Sequence, residues 1–352
     1  ILFKRGDTWT LTSNSHRFRP RGSSGTAENH IYIGAYGTGA RPIIQGPGTK
    51  LYRGILYRAS SDAAADYITI EELEFTGNSR DAAVWIEGVQ HWTLSNIYVH
   101  DITSPNGDWA GGIIFKDSSY IRIEDSTVEN IAGEGIYFGT ADTADYVRYG
   151  VIANCTIKRT KYDAVDFKEG TRACLVYGCT IEDCGYGSPP TKVLSIGGKY
   201  NHISDTRIEN PHTNVRSVVY VGRYDGGKFT DSGKHNRIER CLIIDEFRAA
   251  DEAIRIAGEY NEVISNTIAG AQIAVYGAPI AIGGNLIKNN IFRNTSEYDV
   301  YLKGNEDRFT FDYNVYSDGP GEVWYENGAS RDFNYVQGVL AQEVNGIVIA
   351  AD

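Results

Sequence analysis

The sequence of 352 residues has no methionine and only five cysteines. Because five is an odd number, at least one cysteine is unpaired within the chain, and the lack of any Cys-x-x-Cys pair excludes the common zinc motifs. No apolar run approaches the roughly 18 residues of a membrane-spanning helix, so we expect no membrane partner. Positive charge is also scarce, with 34 basic against 45 acidic residues. The resulting net charge of −11 argues against binding to nucleic acid or to anionic lipid.

The remaining composition is that of a folded protein that works in water. Hydrophobic residues make up 41% of the chain and charged residues 22%, which is too apolar for a disordered chain. The chain begins at Ile1 without a charged-then-apolar leader, which indicates either a removed signal peptide or a start inside a longer protein. We expect a secreted or cell-surface location and a monomer.

Short strand-like segments recur along most of the chain. Each ends in a small polar residue followed by an alternating apolar run, and the intervals range from 24 residues (Cys155 to Cys179) to 35 (Thr206 to Cys241). The polar positions form one predicted column: Asn96, Ser126, Cys155, Cys179, Thr206, Cys241, Asn266, Asn290 and Asn314. One such unit cannot bury a core, but stacked units can share one interior. We therefore expect this column to point inward and Cys155, Cys179 and Cys241 to be buried packing residues; Cys155 and Cys179 lie one repeat apart, within disulfide range if the geometry permits.

This pattern resembles the right-handed parallel β-helix of the pectin-lyase-like superfamily. The resemblance rests on the Asn/Ser/Cys column and on the opening Ile31-Tyr32-Ile33-Gly34-Ala35-Tyr36-Gly37, followed by Arg41-Pro42-Ile43-Ile44. It predicts an all-β, single-stranded right-handed parallel β-helix (a solenoid) with about ten rungs. We expect residues 1–30 to be an N-terminal cap, 31–318 the β-helix, and 319–352 a C-terminal cap or a truncated extension.

A second recurring segment predicts an outward-facing stripe of aromatic and charged residues. Its alternation places one column outside: Leu56, Trp85, Ile114, Tyr137, Asp166, Ser195, Tyr220, Arg255 and Tyr301. Neighbouring strands lie about 4.8 Å apart, which is close to the length of one sugar residue. The stripe therefore favours an extended polysaccharide as partner, with Trp85, Tyr137 and Tyr220 as flat platforms for sugar faces.

The resemblance also implies a chemistry for this face. Lyases of the superfamily remove the proton α to a uronate carboxylate while cations stabilise the enediolate, and Ca²⁺ often assists. On this basis we expect a polysaccharide lyase that cleaves a uronic-acid polymer by β-elimination. Lys168 is the expected base beside Asp166, and Arg223 or Arg255 is the expected carboxylate clamp. The remaining expected residues are Lys116, Arg216 and His212 for substrate, and Glu134, Asp163 and Glu87 as ligands for a possible Ca²⁺.

Two other functions fit the same residues. A glycoside hydrolase could use paired carboxylates from Glu134, Asp163, Asp166 or Glu169. A non-catalytic glycan-binding or adhesion module would need the stripe but no acid or base. The aromatic column could also be a stacked ladder, and Lys168 with its acidic neighbours a solvated ion cluster, both of which stabilise a sheet without function. No tandem Asp pattern of polygalacturonases and no Asp-Pro-His of mannuronan epimerases is present.

Overall fold

The computed structural model describes residues 1–13, 17–47, 54–78, 81–103, 110–140, 146–188, 191–213, 215–222, 233–247, 249–279, 281, 283–303, 306–317, 324–326, 328–338, 342–343 and 345–348. These residues form two units, Ile1–Thr180 and Ile181–Asp352. In both, short parallel strands stack into three sheets, here named sheets A, B and C, because each turn of chain contributes one strand to each sheet. Strands are numbered in chain order.

In the first unit, each sheet is a parallel stack of consecutive turns. Sheet A consists of β1 (Leu2–Lys4), β3 (Ile31–Tyr36), β6 (Ile68–Glu71), β9 (Trp92–Ser95), β13 (Arg122–Glu124), β17 (Val151–Ala153) and β20 (Leu175–Tyr177). Sheet B consists of β2 (Thr8–Thr10), β4 (Ile43–Gln45), β7 (Glu74–Asn78), β10 (Tyr98–Thr103), β14 (Thr127–Ile131), β18 (Thr156–Thr160) and β21 (Thr180–Glu182), whose last residues belong to the second unit. Sheet C consists of β5 (Leu56–Arg58), β8 (Ala82–Glu87), β11 (Gly111–Lys116), β15 (Ile136–Phe138) and β19 (Val165–Phe167), and a small pair joins β12 (Ser118–Ser119) to β16 (Val147–Arg148).

The second unit repeats the arrangement. Sheet A consists of β23 (His202–Ser204), β26 (Arg237–Glu239), β29 (Glu262–Ile264), β32 (Asn285–Lys288) and β35 (Phe309–Asp312). Sheet B consists of β24 (Arg207–Glu209), β27 (Leu242–Ile244), β30 (Thr267–Ala269), β33 (Ile291–Arg293), β36 (Val315–Tyr316) and β39 (Ile347–Val348). Sheet C consists of β22 (Thr191–Ile196), β25 (Val215–Gly222), β28 (Glu252–Ala257), β31 (Ile273–Gly277), β34 (Tyr298–Leu302), β37 (Trp324–Glu326) and the antiparallel β38 (Ala329–Arg331). A 3-10 turn (Glu306–Arg308) and helix α1 (Phe333–Gly338) complete the unit.

The predicted fold class is confirmed: alternation sends one side of every strand inward, and the interior is a stack of like residues. In the first unit Phe138 stacks on Phe167 with ring centroids 5.3 Å apart, and Phe115 meets Phe138 edge-on. Within the described residues, no helix is long and apolar enough to cross a bilayer. The predicted boundaries at residues 30 and 318 stay a prediction. Strands β1 and β2, which precede residue 30, and β39, which follows residue 318, also pair with the sheets.

The inward polar column exists, with one correction. Asn266, Asn290 and Asn314 form a ladder in which each amide oxygen accepts the backbone N–H one turn before it at 2.9 Å, starting from Cys241. Asn96 is not part of the column; Ile97 occupies that position, and its N–H donates to Ser126 Oγ at 3.1 Å. Asn96 lies one residue earlier, at φ 50°, in the left-handed region that Asn tolerates better than most residues.

The five cysteines, all described, are buried, as predicted for Cys155, Cys179 and Cys241, and none forms a disulfide, so the bond that the spacing of Cys155 and Cys179 left open is not made. Burial raises the pKa of the Cys241 thiol to about 12, which keeps it unreactive. A second inward ladder was not predicted. It runs from Asn201 through Asn236 and Asn261 to Asn285, and the amide oxygen of each of the last three accepts the backbone N–H of the Asn one turn before it at 2.9–3.0 Å.

Candidate functional site

The outward column on sheet C of the first unit is in the predicted register from Trp85 onward. Trp85, Ile114, Tyr137 and Asp166 are successive partners across β8, β11, β15 and β19. The first rung was predicted one residue too early: Tyr57 pairs with Trp85, whereas Leu56 pairs with Val84 and is fully buried. Apolar Leu56 packs inside, which moves Tyr57 to the outer face.

A close charged contact on this face joins Lys168 to Asp166. Lys168 Nζ lies 2.6 Å from Asp166 Oδ2, and the Asp166 side chain is 4% exposed while that of Lys168 is 25% exposed. The same Nζ lies 5.1 Å from the centroid of the Tyr137 ring. Lys168, Asp166 and Tyr137 therefore form one group, here named the Lys168 cluster.

The surroundings of the Lys168 cluster keep both Lys168 and Tyr137 protonated at neutral pH. Burial by itself would lower the pKa of Lys168, but the charge of Asp166, the neighbouring Tyr137 and the hydrogen bond to Asp166 outweigh it and raise that pKa above its ordinary value. Burial also raises the pKa of Tyr137, with the opposing charge of Lys168 too small to reverse it. Lys168 is therefore protonated and positively charged at neutral pH, and Tyr137 is a neutral phenol. Because a general base must be deprotonated, the predicted role of Lys168 as a base does not suit this arrangement.

Trp85, Lys116 and Glu87 form a second contact group on the same face. Lys116 Nζ lies 4.4 Å from the Trp85 ring centroid, and the Trp85 indole N–H donates to Glu87 Oε1 at 2.6 Å. Lysine ammonium groups thus lie over the Trp85 and Tyr137 rings, where we expected sugar faces to pack. Ile114 lies between the two rings in the column, so they are not stacked on each other, but their cation contacts favour the alternative that the column stabilises the sheet.

Two of the predicted calcium ligands lie on consecutive turns, and the third makes other contacts. Gly135 N–H donates to Asp163 O and Gly112 N–H to Glu134 O, both at 2.9 Å, which places Glu134 and Asp163 at equivalent positions on consecutive turns. Glu87 instead binds Trp85 and accepts the Ser60 backbone N–H at 3.2 Å. In the part of the chain that the structure describes, no group of three or more His, Cys, Asp or Glu side chains could hold a metal ion. Calcium stays a prediction.

Sheet C of the second unit carries its own buried carboxyl group. Glu252 is 3% exposed and accepts hydrogen bonds from Ser217 Oγ and Arg255 Nη1, each at 2.6 Å. Burial raises the pKa of Glu252, and Ser217, Arg255 and Arg216 offset only part of that effect. Arg255 also lies over the Tyr276 ring at 4.4 Å. The predicted clamp Arg255 is therefore oriented by a carboxyl group before any ligand arrives.

Of the other predicted residues of this unit, Arg216 and Tyr220 lie beside the Glu252–Arg255 pair, and Tyr220 is the strand partner of Arg255. Arg216 is exposed and its Nε lies 3.9 Å from Glu252 Oε1. Tyr220 is 9% exposed beneath Lys192, whose Nζ is 4.4 Å from the ring centroid. His212 lies in the turn before β25, where its backbone N–H donates to Cys184 O. Arg223 lies outside the described residues.

Sequence reasoning missed Tyr276, Lys192 and Ser217. Tyr276 could have been found, because Ala274-Val275-Tyr276-Gly277 repeats the alternation that identified the other strands, and Tyr276 is the strand partner of Arg255. Lys192 and Ser217 precede the aligned positions, where no recurring residue type marks them.

The comparison of sequences gives the family directly. The model of the family described as "Right handed beta helix region" matches residues 50–188 and 143–331. The chain belongs to the right handed beta helix family. Membership agrees with the three stacked sheets and establishes the predicted handedness of the coil. No curated protein matches the chain.

Solved structures similar to this right handed beta helix protein include enzymes of two reaction classes. An alginate lyase from Paenibacillus sp. str. FPU-7 is 19% identical over 88% of this chain and 91% of its own, with a TM-score of 0.58. The GH136 lacto-N-biosidase from Eubacterium ramulus is 16% identical over 85% of this chain and 58% of its own, with a TM-score of 0.57. The PL6 family polysaccharide lyase Pedsa3628 from Pseudopedobacter saltans is 13% identical over 100% of this chain and 88% of its own, with a TM-score of 0.53. At these identities the likeness shows the fold alone.

Proposed function

We propose that this protein is a carbohydrate-active enzyme, and specifically a polysaccharide lyase that cleaves a uronic-acid polymer by β-elimination at the Lys168 cluster. The observation that carries the proposal is the protonated Lys168 beside the neutral Tyr137 phenol on the outer face of a β-helix. Similar folds in an alginate lyase and a PL6 polysaccharide lyase support the choice of substrate class.

Each side chain has a role that follows from its protonation. The Lys168 ammonium neutralises the uronate carboxylate and stabilises the enediolate that forms when the α proton leaves. The Tyr137 hydroxyl donates a proton to the departing glycosidic oxygen, which a phenol with a raised pKa can do at neutral pH. Asp166 is a positioning residue, because it fixes Lys168 and keeps it charged. Glu134, whose charge acts on Tyr137, takes the α proton; the electrons of that C–H bond form the double bond as the glycosidic C–O bond breaks, and the Tyr137 phenolate regains its proton from solvent. Asp163, whose charge acts on Lys168, helps to keep Lys168 protonated.

One observation favours a second function, hydrolysis of a glycan. Glu134 and Asp163 lie at equivalent positions of consecutive turns, and a pair of neighbouring carboxyl groups is what glycoside hydrolases use. Such an enzyme would release reducing ends without forming a double bond.

The products separate these functions. The protein is incubated with alginate, polygalacturonate, chondroitin and neutral glucans and xylans, and both unsaturated-uronate absorbance and reducing ends are recorded. The lyase proposal expects the two signals to rise together on a uronate polymer. Reducing ends without absorbance would replace it with the hydrolase, and retained binding with neither product would indicate a glycan-binding module.

A further inference from the structure

A polar groove in the first unit shares no lining residue with the Lys168 cluster and lies at the corner where each turn of chain passes from sheet C to sheet A. It encloses about 410 Å³, which is within the range of small-ligand sites. Its lining is almost entirely polar, because Val89 is its one large aliphatic residue, and its polar side chains include Asp66, Gln90, Asp117, Ser119, Tyr146 and Arg148.

Four stacked aromatic rings fix the backbone of this corner. Tyr67, His91, Tyr120 and Tyr149 have φ values of 55–57°, and their ring centroids follow one another at 4.3, 4.7 and 5.0 Å with interplanar angles of at most 18°. The rings cover one another's faces along the stack, so they act as a scaffold for this corner. Because left-handed backbone is unfavourable for such residues, the stack supplies the contacts that hold it.

The residue before each ring points a polar group into the groove. These residues are Asp66, Gln90, Ser119 and Arg148, and strand pairing aligns Gln90 with Ser119 and Ser119 with Arg148. Asp66 Oδ1 accepts the Gln90 backbone N–H at 2.8 Å, which continues the row by one more turn. The row therefore presents acceptors and donors at the strand spacing of about 4.8 Å.

The chemistry of the lining selects the ligand. Carboxylate, amide, hydroxyl and guanidinium groups at the repeat of a sugar chain match hydroxyl groups, which both donate and accept. Tyr146, whose ring lies 4.8 Å from the Arg148 guanidinium carbon, forms one side. Asp66 and Asp117 outnumber the single cation Arg148, so the groove repels a uronate chain. A divalent cation is not the ligand either, because the described residues hold no cluster of three metal-binding side chains.

We propose that this groove binds a neutral, hydroxyl-rich oligosaccharide. The site is independent of the lyase proposal, since its ligand carries no carboxylate and its residues are not those of the Lys168 cluster. On an enzyme that acts on a charged polymer, a site for neutral glycans would keep the enzyme bound to a matrix that contains both kinds of polysaccharide.

Calorimetric titration tests the proposal with hexasaccharides of β-1,4-glucose, β-1,3-glucose, α-1,4-glucose, β-1,4-xylose and β-1,4-mannose, and with a hexauronate as comparison. We expect at least one neutral hexasaccharide to bind and the hexauronate not to bind at this groove. Ser119→Trp should fill the groove and abolish binding, and Gln90→Ala and Arg148→Ala should each weaken it about tenfold through lost hydrogen bonds. Arg122→Ala, at an exposed residue of sheet A paired with Glu124, should bind as the wild type does.

The outcomes are decisive whatever happens to one variant. If Ser119→Trp fails to fold, as judged by its melting curve, the two alanine variants decide. Three results would each overturn the proposal. The first is that no neutral hexasaccharide binds, and the second is that binding is unchanged in Gln90→Ala and Arg148→Ala. The third is that the hexauronate binds and these two variants abolish its binding. Cleavage of a uronate polymer is measured separately, so failure here leaves the lyase proposal standing.

Discussion

At the scale of single residues, the central object is the Lys168–Asp166 ion pair. The column that contains Asp166 was predictable from alternation, but the state of Lys168 was not, because it depends on how deeply both groups are buried and on where Nζ lies. Local sequence marks Lys168 as flanked by acids; only the packing shows that one of them, Asp166, is nearly inaccessible to water.

The pair makes a prediction about stability. Lys168→Met leaves the Asp166 carboxylate buried without its partner, and we expect a loss of about 2 kcal/mol, less than for a fully buried pair because Lys168 is partly exposed. Since the pKa of Lys168 is raised on folding, its contribution is complete below the unfolded value near 10.5 and is lost as pH rises through the folded value. Urea denaturation at neutral and strongly alkaline pH measures both effects. A Lys168→Met variant as stable as wild type at neutral pH would contradict the assignment.

Glu343 makes a second prediction at this scale. Its buried carboxyl group accepts Asn314 N–H at 3.1 Å, Asn314 Nδ2 at 2.6 Å and the Tyr316 hydroxyl, and so closes the Asn ladder. Glu343→Ala leaves these donors unpaired in the interior, and we expect a loss of about 3 kcal/mol in urea denaturation. Burial raises the pKa of Glu343, so the folded state binds its proton more readily and the Glu343 contribution should decline as pH rises from about 4.5 through the folded value. Equal midpoints for wild type and Glu343→Ala would refute the closing role.

At the scale of elements, the ladders show what a repeat pattern can and cannot reveal. The column from Ser126 to Asn314 was predictable because a small polar residue recurs before an apolar alternation. The error at Asn96 arose because Asn suits two different positions, the inward ladder and the left-handed corner, and its neighbours Ile97 and Tyr98 continue the alternation in either alignment. The second ladder has four members in one unit, too few to stand out among the chain's other turn residues.

The ladder residue Asn290 makes an element-scale prediction with an internal comparison. It accepts Asn266 N–H at 2.9 Å and donates to Val263 O at 2.9 Å, so Asn290→Ala leaves both groups unpaired. We expect Asn290→Ala to cost about 2 kcal/mol. Asn290→Ser should cost less, because Ser126 fills the equivalent position and accepts Ile97 N–H. Melting temperatures of the two variants check the order, and an alanine variant at least as stable as the serine variant would be the contrary result.

At the scale of the whole molecule, the fold followed from the sequence while the chemistry did not. Repeats specify stacking, and the family match agrees with that prediction. The outward side chains obey no comparable rule, since each turn can carry different residues without changing the core. Trp85 and Tyr137 illustrate this: their column was correct, yet cations from Lys116 and Lys168 cover faces that were expected to receive sugars.

The net charge makes a whole-molecule prediction. A chain of net charge −11 repels a polyuronate, and salt screens that repulsion over roughly 10 Å at 0.1 M. We expect kcat/KM on a uronate polymer to rise between about 0.01 and 0.15 M salt, as measured by initial rates with NaCl. A steep fall over this range would instead indicate attraction by a basic groove.

The most direct test of the account is the initial rate of unsaturated-uronate formation by Lys168→Met against Lys158→Met. Lys158 is a matched control, because its Nζ pairs with Glu129 at 3.0 Å and its side chain is 29% exposed, but it lies on sheet B. The account predicts that Lys168→Met reduces the rate at least a hundredfold while folded, and that Lys158→Met keeps the wild-type rate. Equal rates in the two folded variants would contradict catalysis at the Lys168 cluster.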